Sequence, residues 1–358
     1  MKILVGMSGG VDSSVAALLL KEAGHEVIGA TMSIWGKGDL AGSSGKNACY
    51  GPDEKEDLKE AERVCKEIGI PFHVFDCVEK YEEIVLKNFK KEYLSGRTPN
   101  PCIWCNSLIK FGVLPLMAKE YGIEFDKFAT GHYARIKYDQ ENNRYYLKRA
   151  LDEKKDQTYF IYRLTQDQLS NIIFPLGDYL KEDVRKIAEA SGLHVFDKED
   201  SQDFYSGNYN ELLCVKGKSG NIVDKEGNIL GTHEGIWNYT LGQRKGIGIA
   251  HTEPLYVIAL DKDKNEVIVG TEKDTYSQSL IAIDLNWVAF SEIDAEKKIT
   301  AKIRSSQSPK EVFIKNHEEK NIRVEFREPQ KALTPGQSIV FYQGDIVLGG
   351  GIIDEVLK

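Results

Sequence analysis

The sequence is short of several things, and each shortage removes a class of protein. No apolar run approaches the roughly 20 residues that a membrane-spanning helix needs. There are six cysteines in 358 residues, too few for a disulfide scaffold. No internal repeat and no low-complexity tract is present, which excludes a solenoid. Positive charge is not in excess: the formal net charge is −8, so nothing in the overall balance points to a nucleic-acid partner. Only a local basic surface could guide one. Met1–Gly6 runs straight into a strand-like segment rather than a secretory leader, so the expectation is a cytoplasmic protein with reduced thiols.

What remains is a chain long enough for two or three domains. Its first part alternates strand and helix patterns. Ile3–Val5 reads as a short buried strand, Val15–Leu20 lies on a helix ending near Gly24, and Val27–Met32 is the next strand. Asp57–Ile68 is an amphipathic helix with Leu58, Ala61, Cys65 and Ile68 on one face. Phe72–Phe75, Tyr81–Leu94 and Phe125–Thr130 continue the alternation. The order predicts an α/β fold, a parallel sheet covered by helices on both faces. A hairpin follows around Asn142–Asn143, then helical patterns from Gln157 to about Gly192. Beyond Ser201 the texture changes to short β runs and glycine turns. From about Ser277, short strands at regular spacing predict a small β-barrel. The expected units are 1–203, 204–276 and 277–358.

The strongest local signal is Ser8-Gly9-Gly10-Val11-Asp12-Ser13-Ser14, between the first strand and the first helix. Glycines let backbone approach an anion, and a helix N-terminus offers free N–H groups with partial positive charge. The Walker A lysine is absent. Asp12 beside phosphates is expected to partner Mg2+, which offsets carboxylate repulsion. The string resembles the PP-loop of ATP pyrophosphatases, which split ATP into AMP and pyrophosphate.

Further strings narrow the resemblance. Gly96-Arg97-Thr98-Pro99-Asn100-Pro101, Cys105-Asn106, Ala129-Thr130-Gly131-His132-Tyr133-Ala134, Lys155-Asp156-Gln157-Thr158, Trp237-Asn238-Tyr239-Thr240-Leu241-Gly242-Gln243-Arg244 and Pro335-Gly336-Gln337-Ser338 resemble the tRNA-specific 2-thiouridylase family (MnmA), in the right order along nearly the whole chain. The resemblance implies a PP-loop catalytic domain, a small central tRNA-binding domain and a C-terminal barrel. It implies that ATP activates the C2 oxygen of a wobble uridine in tRNA and that a cysteine persulfide, loaded by a sulfur carrier or cysteine desulfurase, displaces AMP. An adenylate leaves far more readily than a carbonyl oxygen, and a sulfur anion is a strong nucleophile near neutral pH.

Carried over position by position, the resemblance assigns Gly6, Met7, Ser8, Gly9, Gly10, Val11, Asp12, Ser13, Met32 and Gly131 to ATP. It assigns Asn100, Pro101, Cys102, His132, Lys155, Asp156, Gln157, Arg304, Ser305 and Gln337 to tRNA; the expected catalytic residues are Cys105, Cys102 and Asp12. The expected enzyme is a monomer with no membrane partner.

Two positions depart from the family pattern. Cys102 stands where an aspartate is usual, and Tyr205 stands where a second catalytic cysteine is usual. Cys102-Ile103-Trp104-Cys105 then reads two ways: a dithiol in which Cys102 resolves a persulfide on Cys105, or two ligands of an iron–sulfur cluster that needs further thiolates, Cys49 and Cys214 being the remaining candidates. Cys65 and Cys77 read as core. Two other classes stay open: another PP-loop tRNA ligase, against which the cysteine pair argues, and a tRNA-binding protein without sulfur chemistry, against which the intact loop argues.

Overall fold

The computed structural model describes residues 1–36, 48–200, 204–205, 207, 209–290, 299–318 and 320–357. Ser201, Gln202 and Asp203, on which the first domain boundary and the Asp-Ser-Gln string fall, lie outside the described residues.

Strand β1 (Lys2–Gly6) is flanked in parallel by β2 (Glu26–Ser33) and β4 (Lys127–Thr130), with β3 (Phe72–Asp76) beyond β2 and the two-residue strand Ile172–Ile173 beyond β4. That last strand interrupts the stretch for which the sequence predicts helix; two residues are too few to show a period of two. Alternation sorts β1 onto two cores. Leu4 packs with Tyr81, Phe89, Ile103 and Ile109, while Ile3 and Val5 pack with Val15, Val64, Cys65 and Val184. Helices therefore cover both faces of the sheet, as the α/β alternation predicts. On the Ile3/Val5 face lie α1 (Val11–Glu22), α2 (Glu54–Ile68) and the helix Lys181–Ala190. The left-handed Gly69 (φ 72°) ends α2.

On the Leu4 face runs Pro101–Glu120, a continuous helix of 20 residues. By length and mean hydropathy (1.3) it is apolar enough to cross a membrane, although Asn106, Ser107 and Lys110 interrupt its apolar residues and no unbroken apolar run of that length is present. Here it packs through Ile103, Ile109, Phe111 and Leu114 into the domain core.

The central unit is a four-stranded sheet around Ile222, Val257, Val267 and Val269. The last unit is a six-stranded antiparallel barrel, closed by pairing of Tyr276–Trp287 with Ile346–Leu357. The hairpin of Ala134–Asp139 and Arg144–Arg149 adds to that barrel's sheet through Leu147↔Val347. It emerges directly from β4, so the barrel is held against the end of the parallel sheet where strand C-termini converge, the edge at which open α/β sheets bind ligands.

Candidate active site

β1 ends at Gly6, whose register partners are Ala30 on β2 and Thr130 on β4. The chain then turns through Met7–Gly10 into α1. Met7 is buried and donates to Ala30 O (2.7 Å). Gly9 takes φ 71°, and a Cβ there would lie 2.9 Å from Asp57 O, so only glycine fits the turn. Gly10 is the N-cap; Ser13 and Ser14 both donate their hydroxyls to its carbonyl (3.1 and 2.8 Å), and Ser8 N donates to Ser13 Oγ (3.2 Å). The loop is thus shaped by its own serines at the N-terminus of a 12-residue helix, a geometry suited to an anion. Val11 is buried beneath it, and Met32 lies half-buried near the C-terminal end of β2.

A group of ions gathers at this loop from distant parts of the sequence. Lys181 is only 7% exposed, and its ammonium donates to both oxygens of Asp12 (2.7 and 2.8 Å) and to Asp200 Oδ1 (2.7 Å). Tyr133 OH also donates to Asp12 (2.8 Å), and Lys155 holds the other oxygen of Asp200 (2.7 Å). Lys198 donates to Gly9 O (3.2 Å). Burial raises the Asp12 pKa even though Lys181 and the Tyr133 hydroxyl pull it down; Asp200, held by two lysines, is lowered despite burial. Two ammonium groups therefore stand where the sequence had shown no phosphate lysine. Lys181 is 169 residues from Asp12, and no local motif marks either lysine.

The other half of the site is the helix at Pro101. Asn100 is its N-cap, Pro101 occupies the first turn, and Cys102 and Cys105, three residues apart, share one face. From Cys105 to Val113 the helix is wound as π-helix, an irregularity that recurs at functional sites. Both thiols are half-buried. Burial pushes the Cys105 thiol up to about 11, against the pull of Lys110. Arg163 stacks on Trp104 between them in sequence (4.7 Å).

The segment Thr130–Tyr133 joins the two halves. A Cβ on Gly131 would stand 2.6 Å from both Asp12 C and Ser13 N, so Gly131 packs directly on the phosphate loop. The next residue, His132, packs on Phe111 of the cysteine helix (5.4 Å) and bonds Thr130 through Nδ1 (2.7 Å). Its pKa lies well below the usual histidine range, first through burial and then through Lys110.

Of the residues assigned to tRNA, Asn100, Arg304, Ser305 and Gln337 line one cavity of 280 Å³ with Thr98, Tyr159 and Thr240. Gln337 donates to Thr98 O (2.9 Å), and Arg97 reaches Asp354 (2.9 Å), which pins the segment before the cysteines to the barrel. Lys155, Asp156 and Gln157 lie elsewhere. The Asp156 carboxylate is wholly buried, accepts from Ala150 N and Thr158 Oγ1 (3.1 and 2.9 Å), and faces Arg149 and Lys302. Gln157 accepts from Tyr133 N (2.9 Å). His132, Asp156 and Gln157 are packed into the frame.

Three family models match the chain. A family model described as the tRNA methyl transferase HUP domain matches residues 1–205; the tRNA methyl transferase PRC-barrel domain matches 213–271, and the aminomethyltransferase beta-barrel domain matches 277–353. The tRNA-specific 2-thiouridylase MnmA of Endomicrobium trichonymphae is 52% identical over 356 residues, covering 99% of each chain. The chain belongs to the tRNA-specific 2-thiouridylase family. Other 2-thiouridylases are nearly as similar: MnmA 1 of Caldanaerobacter subterraneus subsp. tengcongensis is 45% identical over all of this chain and 99% of its own, and MnmA of Acetivibrio thermocellus 46% over 98% and 99%.

Proposed function

We propose that this 2-thiouridylase family member replaces the C2 oxygen of a tRNA wobble uridine with sulfur, splitting ATP into AMP and pyrophosphate. The observation that carries the proposal is Thr130–Tyr133, which touches the phosphate loop on one side and the cysteine helix on the other. One reacting base can then meet both an activated phosphate and a thiol.

The residues do the following on this reading. The N–H groups of the loop Ser8–Ser13, with Lys181 and Lys198, hold the ATP phosphates, and Gly6, Met32 and Gly131 line the nucleotide. The cavity of Asn100, Arg304, Ser305 and Gln337, with Pro101, receives the RNA. Lys155, Asp156, Gln157 and His132 act on tRNA by positioning the frame around it. The uracil O2 attacks the α-phosphorus, and pyrophosphate leaves. A persulfide on Cys105 attacks C2, and AMP departs with the oxygen. Cys102 then attacks Cys105 Sγ; the S–S bond breaks, sulfur stays on C2, and a Cys102–Cys105 disulfide forms. Electrons from a cellular dithiol reopen it. A sulfur carrier or cysteine desulfurase supplies the persulfide sulfur. The enzyme acts as a cytoplasmic monomer of three units, 1–203, 204–276 and 277–358.

A resident metal does not fit the residues as they are arranged. Both Asp12 oxygens are held by Lys181, and among the described residues no group of three or more His, Cys, Asp or Glu side chains gathers to hold a metal ion. That disfavours the cluster reading of Cys102 and Cys105 and a preformed Mg2+ site at Asp12, and no step above uses either. The test is the nucleotide product: labelled ATP with unmodified tRNA should give AMP and pyrophosphate only when tRNA is present, and Asp12→Ala should abolish both. Release of ADP and phosphate would overturn the reading.

A further inference from the structure

Tyr205, at the place usual for a second catalytic cysteine, cannot carry sulfur, yet a thiol lies close by. The backbone N–H of Tyr50 donates to Phe204 O (3.1 Å), and the Tyr50 ring packs against those of Phe204 (5.8 Å) and Tyr205 (6.3 Å). Cys49 therefore runs alongside the Tyr205 segment, held there by its neighbour. On its other side Tyr50 stacks on Tyr81 (5.2 Å), a buried phenol that feels Cys105, Cys102 and Cys49 together. Burial raises the Cys49 thiol as it does that of Cys105, and Lys110 pulls both down. The Tyr50–Tyr81 stack thus links the Cys49 segment to the turn Val78–Tyr81, which packs against the cysteine helix. The three thiols differ in access: Cys49 is exposed, Cys102 and Cys105 only half so. Cys214, the other exposed thiol, contacts Lys90 (3.7 Å) and the carbonyls of Glu211 and Leu212.

We propose that Cys49 is the entry thiol of this enzyme, taking the sulfane sulfur from the donor and passing it to Cys105. The thiolate of Cys49 attacks the outer sulfur of a donor persulfide; the donor leaves as a thiol and Cys49 holds the persulfide. The Cys105 thiolate then attacks that outer sulfur, Cys49 leaves as a thiolate, and Cys105 carries the persulfide. Both steps are thiol exchanges without net oxidation, and the protons return through solvent. The division rests on access: burial raises both thiols, but Cys49 stands exposed where a bulky partner reaches it first, while Cys105 is half-buried.

The inference rests on the thiouridylase reading, but its test needs neither tRNA nor ATP. The full chain is incubated with a persulfidated cysteine desulfurase, and the extra sulfur is located by mass analysis of alkylated peptides. Cys105→Ser should hold it on Cys49. Cys49→Ser should load Cys105 at least tenfold more slowly from the protein donor, yet within about threefold of the unmodified chain from inorganic polysulfide, which needs no exposed acceptor. Cys214→Ser should load normally. Sulfur found on Cys105 at an unchanged rate in Cys49→Ser would overturn the relay. So would a Cys49→Ser chain that fails equally with polysulfide, since Cys49 would then serve structure alone. If loading behaves as expected but no 2-thiouridine forms when tRNA and ATP are added, the thiouridylase reading fails while the relay stands.

Discussion

Replacing Lys181 with Met removes the ammonium that three carboxylate oxygens share, two on Asp12 and one on Asp200. Methionine keeps the length and apolar stem, so the packing change is small. Removing one partner of a buried ion pair costs about 3–5 kcal/mol. Asp12 keeps its bond from Tyr133 and a side chain 28% exposed, and Asp200 keeps Lys155, so the cost falls below that range, to about 2–3 kcal/mol. For a domain of this size about 1 kcal/mol moves the midpoint about 2–4 °C, so the first transition should fall by roughly 4–12 °C. The loss has a pH signature. Burial already raises Asp12, and without Lys181 it must rise further. A carboxyl raised on folding binds more protons folded than unfolded, so its cost grows as pH rises through the window above the ordinary carboxylate value and shrinks below it. The deficit of Lys181→Met should therefore be larger at pH 8 than at pH 5, and Asp12→Asn in the same chain should recover part of it. Circular dichroism melts of the single and double variants at both pH values decide this. An unchanged midpoint, or a deficit that grows toward acid, would refute the account of Lys181.

Cys105, held up to about 11 by burial, should react with iodoacetamide slowly at pH 7 and faster at each step toward pH 10, measured by peptide mass analysis; complete alkylation within minutes at pH 7 would contradict it. Gly131→Ala should impair pyrophosphate release at least tenfold, because its Cβ would strike the backbone of Asp12 and Ser13 at 2.6 Å; near-normal turnover would show that the loop is free to yield there. Cys102→Ala should lower multiple-turnover thiolation as severely as Cys105→Ser does, while a single turnover halts at a tRNA–enzyme mixed disulfide that dithiothreitol releases. An active Cys102→Ala chain without added thiol would remove Cys102 from the cycle.

Much of this was legible in the residues, and for physical reasons. The parallel sheet and the phosphate loop are local: hydrophobic runs, helix stops and a glycine turn write themselves into short windows. Asp12 was identified as an ion partner, but the ion beside it in the structure is Lys181, which no window around the loop contains. The hairpin at Asn142–Asn143 was readable, but its addition to the barrel sheet was not, because strand pairing over some 200 residues leaves no local trace. The helix Pro101–Glu120 is hard to read as one element because Asn106, Ser107 and Lys110 interrupt its apolar residues. The resemblance assigns Asp156 to RNA; that its buried carboxylate faces Lys302 of the barrel is not legible in the sequence around it.

The central claim is that phosphate loop and cysteine helix serve one reaction on one base. Unmodified tRNA, ATP, a cysteine desulfurase with cysteine, and the purified chain should give 2-thiouridine at the wobble position, one AMP accompanying each sulfur, by mass analysis of digested nucleosides. Cys105→Ser should give none while still releasing pyrophosphate in the presence of tRNA. Full 2-thiouridine from Cys105→Ser, or thiolation without AMP, would contradict the account.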